Sequence, residues 1–387
     1  MRKNPCRRLP PTLCTLNIVN LLCDQEMFTC PPPLIISQGL QKINWFLRKL
    51  FAARLTGKVI ISDEKLGVFE FFEGDFDYIK IFDAKAARIQ EIPPGIRKCT
   101  ALTDLKLNDN HISLISDELC ECWSLRKVSL SNNRMSHNMN INIANLQLLA
   151  EIDVSGNFLN VIPEAMFLVP NILVLNISNN KIASFKVPSS TWKSLTQLDL
   201  SKNMFSALPL SMFDVVSIKV LLVKNNSISE VQQQFGFLLN LTNLNISSNL
   251  LENIEGLKPL FNLKYLYASQ NKLTSLSQHF GAFSDLQELQ LNDNPLDFPP
   301  IEVTSTGSQN TLALMRQFYE GFKNGSMDIQ SFGLRSLSVQ LLSMDHLLVL
   351  NARNNSIFSI PPQISFLTTL QELYLDNNRI GCIPNQV

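Results

Sequence analysis

Apolar residues along this chain fall into a frame, L-x-x-L-x-L-x-x-N-x-L, that returns at a step that is nearly always 23 residues; Leu102, Leu105, Leu107, Asn110 and Ile112 make one copy. Leucines at alternating positions predict a short strand with one apolar side turned inward. The return of the same frame predicts one strand per copy, added in parallel to a stack. The polar member of the frame recurs as Asn110, Asn133, Asn157, Asn180, Asn203, Asn226, Asn249, Asn271, Asn294, Asn355 and Asn378. A primary amide both donates and accepts, so it can serve the backbone of a buried non-helical turn. This column is therefore expected to be structural, with no role in chemistry.

Taking the middle residue of each strand as an anchor brings out weaker copies by phase. The anchors are Leu105, Val128, Ile152, Leu175, Leu198, Leu221, Leu244, Leu266, Leu289, Leu350 and Leu373, and stepping by 23 adds Phe82, Val59 and Met327. That makes fourteen copies, three of them degenerate at the asparagine, with Ala87 and Phe332 in two of those slots. The expected fold is an α/β leucine-rich repeat solenoid, with a curved parallel sheet on its concave side and short helices and turns on its convex side. A second apolar column, three residues ahead of the residue that opens each frame, runs Cys99, Cys122, Leu146, Val169, Trp192, Val215, Leu238, Leu260, Phe283, Met344 and Leu367. It is expected to face the core and to hold Cys99 and Cys122 as small buried hydrophobes. Proline follows the closing apolar residue at Ile92-Pro93, Ile162-Pro163, Leu208-Pro209, Ile360-Pro361 and Ile383-Pro384. There it fixes an extended lead into a helical turn and gives up no needed hydrogen bond.

Five segments follow from where the frame runs and where it stops. Residues 1–38 carry no frame but have Cys6, Cys14, Cys23, Cys30 and Pro31-Pro32-Pro33, whose cysteine spacing fits no zinc motif; a disordered extension is expected. A signal peptide is the lesser reading, because Asn17 and Asn20 interrupt the apolar stretch after the basic start. Over 39–58 the spacing turns helical: Leu40, Ile43, Phe46, Leu47, Leu50 and Phe51 share one face, opposite Lys42, Arg48, Lys49 and Arg54. A capping helix over the first repeat is expected, with a basic amphipathic helix for a membrane surface or calmodulin as the alternative. The first repeat block is placed at 59–300. A block-ending helix at 301–326 follows, with Leu312, Met315, Phe318, Tyr319 and Phe322 at helical spacing. A second block, 327–387, is expected to be incomplete at its C-terminus.

Lys and Arg together equal Asp and Glu at 33 each, so no global field draws nucleic acid. No run of eighteen apolar residues exists, so no transmembrane segment is expected. Nucleotide-binding glycine loops, nucleophile elbows and H-E-x-x-H are missing, and His111, His137, His279 and His346 are dispersed. An S-x-x-K at Ser190 and Lys193 encloses Trp192 of the core column. No catalytic residue, cofactor or metal is expected, and the chain is not expected to be an enzyme.

Binding is expected on the outward residues of the concave strands, because a rigid sheet presents them in parallel columns. In mid-stack, between the copies anchored at Leu198 and Leu266, Leu222, Tyr265 and Tyr267 have no core role, and Lys219, Lys224 and Lys264 surround them. Aromatic anchors ringed by cations are typical of protein interfaces. Acidic outward residues, Asp104, Glu151, Asp153 and Asp199, lie in earlier copies and are expected to orient a partner.

The passage Asn294-Pro295-Leu296 through Glu302-Val303, Gly307, Leu312 and Arg316 resembles the block-ending signature of intracellular Ras-group leucine-rich repeat proteins. Ala52-Ala53-Arg54 with Gly57-Lys58-Val59 is similar to their opening signature, and the resemblance covers residues 40–387. It implies a cytoplasmic, non-catalytic interaction scaffold, an adaptor or regulator in signalling whose partner is a protein, with small GTPases the theme of the wider group. Two other classes remain open. One is a secreted or cell-surface ectodomain, given sequons at Asn176, Asn225, Asn240, Asn245, Asn324 and Asn354, although the frame itself generates some of these. The other is a targeting fragment of a larger enzyme.

Overall fold

The computed structural model describes residues 7–22, 28–67, 76–136, 141–189 and 191–381; Cys6, Cys23, His137, Ser190 and the Ile383-Pro384 pair lie outside the described residues. Two compact units divide the chain, residues 1–204 and 205–387. In the first, strands β1 (Lys58–Ile60), β2 (Ile81–Asp83), β3 (Asp104–Lys106), β4 (Lys127–Ser129), β5 (Glu151–Asp153), β6 (Val174–Asn176) and β7 (Gln197–Asp199) pair in parallel in chain order. The second holds β8 (Val220–Leu222), β9 (Asn243–Asn245), β10 (Tyr265–Tyr267) and β11 (Glu288–Gln290) in the same arrangement. It continues as a separate parallel sheet of β12 (Ser326–Asp328), β13 (Val349–Asn351) and β14 (Glu372–Tyr374). Every strand is three residues long and centred on one of the fourteen anchors. Thirteen of the anchors are buried and Leu373 of β14 is partly so.

The turn that follows most strands is fixed by a side chain. Asn157 shows how the repeat amide works: Nδ2 donates to the carbonyls of Leu130, Val154 and Ser155 at 3.0, 2.9 and 3.2 Å, while Oδ1 accepts the Met135 N–H at 3.0 Å. One side chain thus joins two neighbouring turns and answers backbone groups that no regular ladder reaches. The residue just before it is left-handed in repeat after repeat, with φ of 58° at Asp109, 54° at Asn132, 53° at Asn179 and 64° at Gly156. That conformation favours Asn, Asp and Gly, which supplies most of the residues found there.

On the other side of the core the second apolar column is buried throughout, from Cys99 to Leu367. Burial, and then the thiol of the neighbouring repeat, push Cys99 up to about 12; burial, with Cys120 and Glu121, does the same for Cys122. Both stay neutral thiols at physiological pH, and Cys122 Sγ donates to the Ile96 carbonyl at 3.2 Å. Trp192 gives its indole N–H to the Met166 carbonyl at 3.0 Å and packs on Phe167. Pro93, Pro163, Pro209 and Pro361 each stand, extended, immediately ahead of a short helical turn.

The described residues of the N-terminal segment, 7–22 and 28–38, depart from the expected disordered extension. Leu9, Cys14, Phe28 and Ile36 form a buried cluster with Ile43 and Leu47 of the helix Leu40–Thr56. Enough apolar surface lies on both sides of the Pro31–Pro33 run to fold it onto that helix. Calling the short helix Pro33–Ile36 α1, Leu40–Thr56 is α2, Glu164–Phe167 is α3, Ile301–Thr304 is α4 and Ser308–Asn324 is α5. Lys42 of the basic face is not free for a membrane: Glu64 holds it at 2.6 Å and it lies 4.3 Å from the centre of the Trp45 ring.

α2 and α5 belong to one recurring motif. Cys30, α1, Gly39, α2, Gly57 and β1 are followed 268 residues later by Phe298, α4, Gly307, α5, Gly325 and β12. Both long helices span 17 residues, start after a positive-φ glycine and stop at a left-handed one, with φ of 67° at Gly57 and 72° at Gly325. Each then runs directly into a strand that is exposed, buried and exposed in turn. α5 closes the edge of β11 with side chains: Ser308 Oγ donates to the Leu289 carbonyl at 2.9 Å and Gln309 Nε2 to that of Gln287 at 3.0 Å. Gly281 lets the helix seat, since a Cβ there would lie 2.0 Å from the Met315 carbonyl oxygen and 2.6 Å from Tyr319 Cβ. Gly281→Ala is expected to cost about 2–3 kcal/mol in a urea titration through this clash. Gly381→Ala, with nothing within 4 Å of the added carbon, should stay within about 0.5 kcal/mol.

Candidate protein-binding face

Alternation along three-residue strands leaves two outward columns on β8–β11. Register aligns Val220, Asn243, Tyr265 and Glu288 in one, and Leu222, Asn245, Tyr267 and Gln290 in the other. Tyr265 and Tyr267 are therefore direct neighbours of Glu288 and Gln290. Leu222 is separated from Tyr267 by Asn245, two strand spacings or roughly 10 Å. Lys219 and Lys264 sit at the strand-entry edge, one residue ahead of β8 and β10, whereas Lys224 lies past the exit of β8; all three are exposed.

The tyrosines are half-buried and held in place. Tyr265 donates its hydroxyl to Gln287 Oε1 at 3.1 Å and Tyr267 to Glu288 Oε2 at 2.9 Å, while Gln290 Nε2 steadies Glu288 Oε1 at 2.7 Å. Burial first, and then the carboxylate that accepts its hydrogen bond, push the Tyr267 phenol above its usual range. Two polar atoms beside this pair are buried and lack a hydrogen-bond partner: Asn243 Oδ1 on the neighbouring strand and Ser269 Oγ two residues after Tyr267. A buried group left unmatched costs free energy until something supplies its partner.

Half of the fourteen strands end on an outward Asp or Asn for a structural reason. Asp153, Asn176, Asp199 and Asn245 accept the N–H two residues on, from Ser155, Ser178, Ser201 and Ser247, at 3.0, 3.1, 2.9 and 3.1 Å. The same bond recurs at Asp83, Asp328 and Asn351. Side chains of this kind close the strand by an Asx turn. The acidic residues expected to orient a partner are thus locally committed: Asp153 and Asp199 to these turns, Glu151 to Lys127 at 2.7 Å, and Asp104 to Thr103 Oγ1 at 2.6 Å. Leu222 and Tyr267 occupy the turn-forming slot and cannot make that bond, so the turn does not account for them.

A cavity of about 310 Å³ lies on the strand face of the first unit, bordered by Asp104, Lys106, Lys127, Glu151 and Asp153. Another, of about 850 Å³, opens on the turns of that unit between Gln90, His111, Ser116, Asp117 and Arg134. Among the described residues no cluster of three His, Cys, Asp or Glu could hold a metal ion, and no helix is long and apolar enough to cross a membrane. Of the residues on the tyrosine face, Gln287 and Glu288 could have been found by carrying the outward slots one repeat on. The orphaned atoms of Asn243 and Ser269 leave no mark in the sequence.

Residues 147–205 match the leucine rich repeat family. Protein flightless-1 homolog of Caenorhabditis elegans is 31% identical over 112 residues, 28% of this chain and 9% of that protein. Adenylate cyclase of Schizosaccharomyces pombe is 32% identical over 91 residues, 24% of this chain and 5% of the cyclase. The chain thus spans less than a tenth of the length of either relative. Among solved structures, the leucine-rich repeat domain of APL1B aligns with a TM-score of 0.51 at 20% identity, over 86% of each chain. A TDR receptor aligns with a TM-score of 0.51 at 18% identity, over 78% of this chain and 48% of the receptor. These structural likenesses speak to the fold alone.

Proposed function

We infer, from the premise that the chain is a leucine-rich repeat protein, that it is a non-catalytic interaction scaffold which binds a protein partner on the strand face of its second unit. Leucine-rich repeats typically serve protein–protein interaction. The observation that carries the reading is the pair Leu222 and Tyr267, two large side chains in slots that seven other repeats give to turn-forming Asp or Asn. Tyr265 and the unmatched atoms of Asn243 and Ser269 enlarge the same patch, and Lys219, Lys224 and Lys264 rim it. Anchors of this chemistry suit the centre of an interface and cations its edge.

The finer reading is a cytoplasmic adaptor or regulator in signalling. It rests on the block-opening and block-ending signatures shared with intracellular Ras-group proteins, and the two blocks parted by α4 and α5 are most like leucine-rich repeat-containing protein 40. A small GTPase as partner follows by family analogy alone. One observation favours a second reading, the targeting region of a larger enzyme: the similarity to a stretch of adenylate cyclase. Affinity purification from cells with the wild type and with a Tyr265→Ala/Tyr267→Ala variant, followed by mass spectrometry, tests the scaffold reading. A protein lost with the double variant but kept by Phe366→Ser, an exposed change on a convex turn, supports it. An unchanged set of partners overturns it, and cyclase activity copurifying with the repeats would establish the second reading.

A further inference from the structure

The recurring motif is filled differently at its two occurrences. With a shift of 268 residues, Ile43, Phe46 and Leu50 of α2 fall on Thr311, Leu314 and Phe318 of α5, and all six are buried. The match continues past the strand: Asp63 and Ser331 share a φ of 62°, and Leu66 and Leu334 are both buried. On the outer face of the helix it breaks down. At the first occurrence Trp45 is half-buried, its ring 4.3 Å from Lys42 Nζ and 5.8 Å from Lys49 Nζ, and Lys42 reaches Glu64 at 2.6 Å. The indole is thus bracketed by Lys49 and by the ion pair that ties α2 to the turn after β1. At the second occurrence Ala313 takes the place of Trp45 and Phe332 that of Glu64, while Asn310, in the place of Lys42, turns back onto Thr306 Oγ1 at 3.0 Å. What remains there is a cavity of about 330 Å³ lined by Ala313, Arg316, Gln317, Asp328, Gln330 and Phe332.

Most of the polar lining is already committed. Asp328 N–H donates to Gln317 Oε1 at 3.2 Å, and Gln330 gives its backbone N–H and its Nε2 to the two carboxylate oxygens of Asp328, both at 3.2 Å. Arg316 is exposed, and its guanidinium has no partner among the described residues. We propose that this cavity is an anchor pocket for a protein partner, taking an aromatic side chain that has a carboxylate beside it. The ring takes the space that Trp45 fills at the first occurrence and packs on Phe332. The carboxylate pairs with Arg316, the one charge of the lining left unmatched. The volume lies at the lower bound of ligand pockets, about 300 Å³, which suits a single large side chain. The pocket shares no residue with the tyrosine face, and the two surfaces are open to separate tests.

Ligand-observed nuclear magnetic resonance titrations of the full chain with three tripeptides, each acetylated and amidated at its ends, test this: Glu-Trp-Glu, Gln-Trp-Gln and Glu-Ala-Glu. The first is expected to bind with a Kd on the order of 1 mM or tighter. Removing the carboxylates should weaken binding about threefold, and removing the indole at least about tenfold. Ala313→Trp, which gives α5 the side chain that α2 has, should fill the cavity and abolish binding. Arg316→Glu, at an exposed position, should keep the contribution of the ring and reverse the preference between Glu-Trp-Glu and Gln-Trp-Gln. Circular dichroism checks that both variants fold; if Ala313→Trp does not, the reversal in Arg316→Glu decides. A wild type that does not bind Glu-Trp-Glu overturns the proposal, and so does binding that neither variant changes. Free tryptophan bound as tightly as the tripeptide would overturn the protein segment as occupant in favour of a small molecule.

Discussion

Asn249→Ala is expected to lower the unfolding free energy by about 3 kcal/mol, because one truncation leaves several buried backbone groups without partners. Asn249 donates to the carbonyls of Val223, Ile246 and Ser247 at 3.1, 3.0 and 3.2 Å and accepts the Ile228 N–H at 3.0 Å. Water cannot replace it, as the side chain is buried between two turns. Asn203→Ala removes the same set of bonds from a half-buried position, where solvent can reach some of the stranded groups, so a loss of about 1–2 kcal/mol is expected. Asn243→Ala should fall within about 0.5 kcal/mol, since its buried Oδ1 has no partner to lose. Urea titrations of the three variants, read by circular dichroism, give the ranking. Equal losses at Asn249 and Asn243 would remove the structural role from the column.

The ranking bears on why so much of the fold could be read from sequence. A strand of three residues has one inward position, and its leucine, fixed by the frame, put all fourteen strands in phase, even where Ala87 or Phe332 replaced the asparagine. The frame works as a ruler because each copy must bury the same apolar edge against its neighbour. It failed at residues 7–22 and 28–38, where the packing residues are Leu9, Cys14, Phe28 and Ile36, set by a proline-rich bend and not by the frame. The motif common to 30–60 and 298–328 was legible in principle, through Pro-Pro, a glycine, 17 helical residues and a second glycine.

The candidate face was legible only in part. Outward positions follow from alternation, so Leu222, Tyr265 and Tyr267 could be placed on one surface, but sequence gives no reason to treat Asp153 and Asp199 differently from them. The difference is local backbone chemistry: a carboxylate or amide in that slot accepts the N–H two residues on, while leucine and tyrosine cannot. Outward acids in these repeats are accordingly weak evidence for an acidic binding surface. An outward residue that breaks the turn-forming habit carries more information than one that follows it.

That distinction sets the expected result at the tyrosine face. Tyr267→Ala should weaken partner binding by about thirtyfold, or about 2 kcal/mol, the scale of a central aromatic anchor. The fold should survive, because Leu266 carries the core contact of β10 and Tyr267 sits half-exposed against Glu288. Tyr267→Phe separates the two parts of its contribution. It keeps the ring and removes only the hydroxyl that Glu288 holds, so a loss of about threefold or less is expected if the ring is the anchor. Leu222→Ala should cost less than Tyr267→Ala, since Asn245 separates it from the tyrosine pair. Lys224→Ala, at the opposite edge from Lys219 and Lys264, should act mainly by slowing association and lessening its salt dependence. Surface plasmon resonance against the purified partner at two ionic strengths measures all four variants. Undiminished affinity in the Tyr265→Ala/Tyr267→Ala double variant would move the interface off β8–β11, leaving the cavity between Lys127, Glu151 and Asp153 on the first unit as the next surface to test.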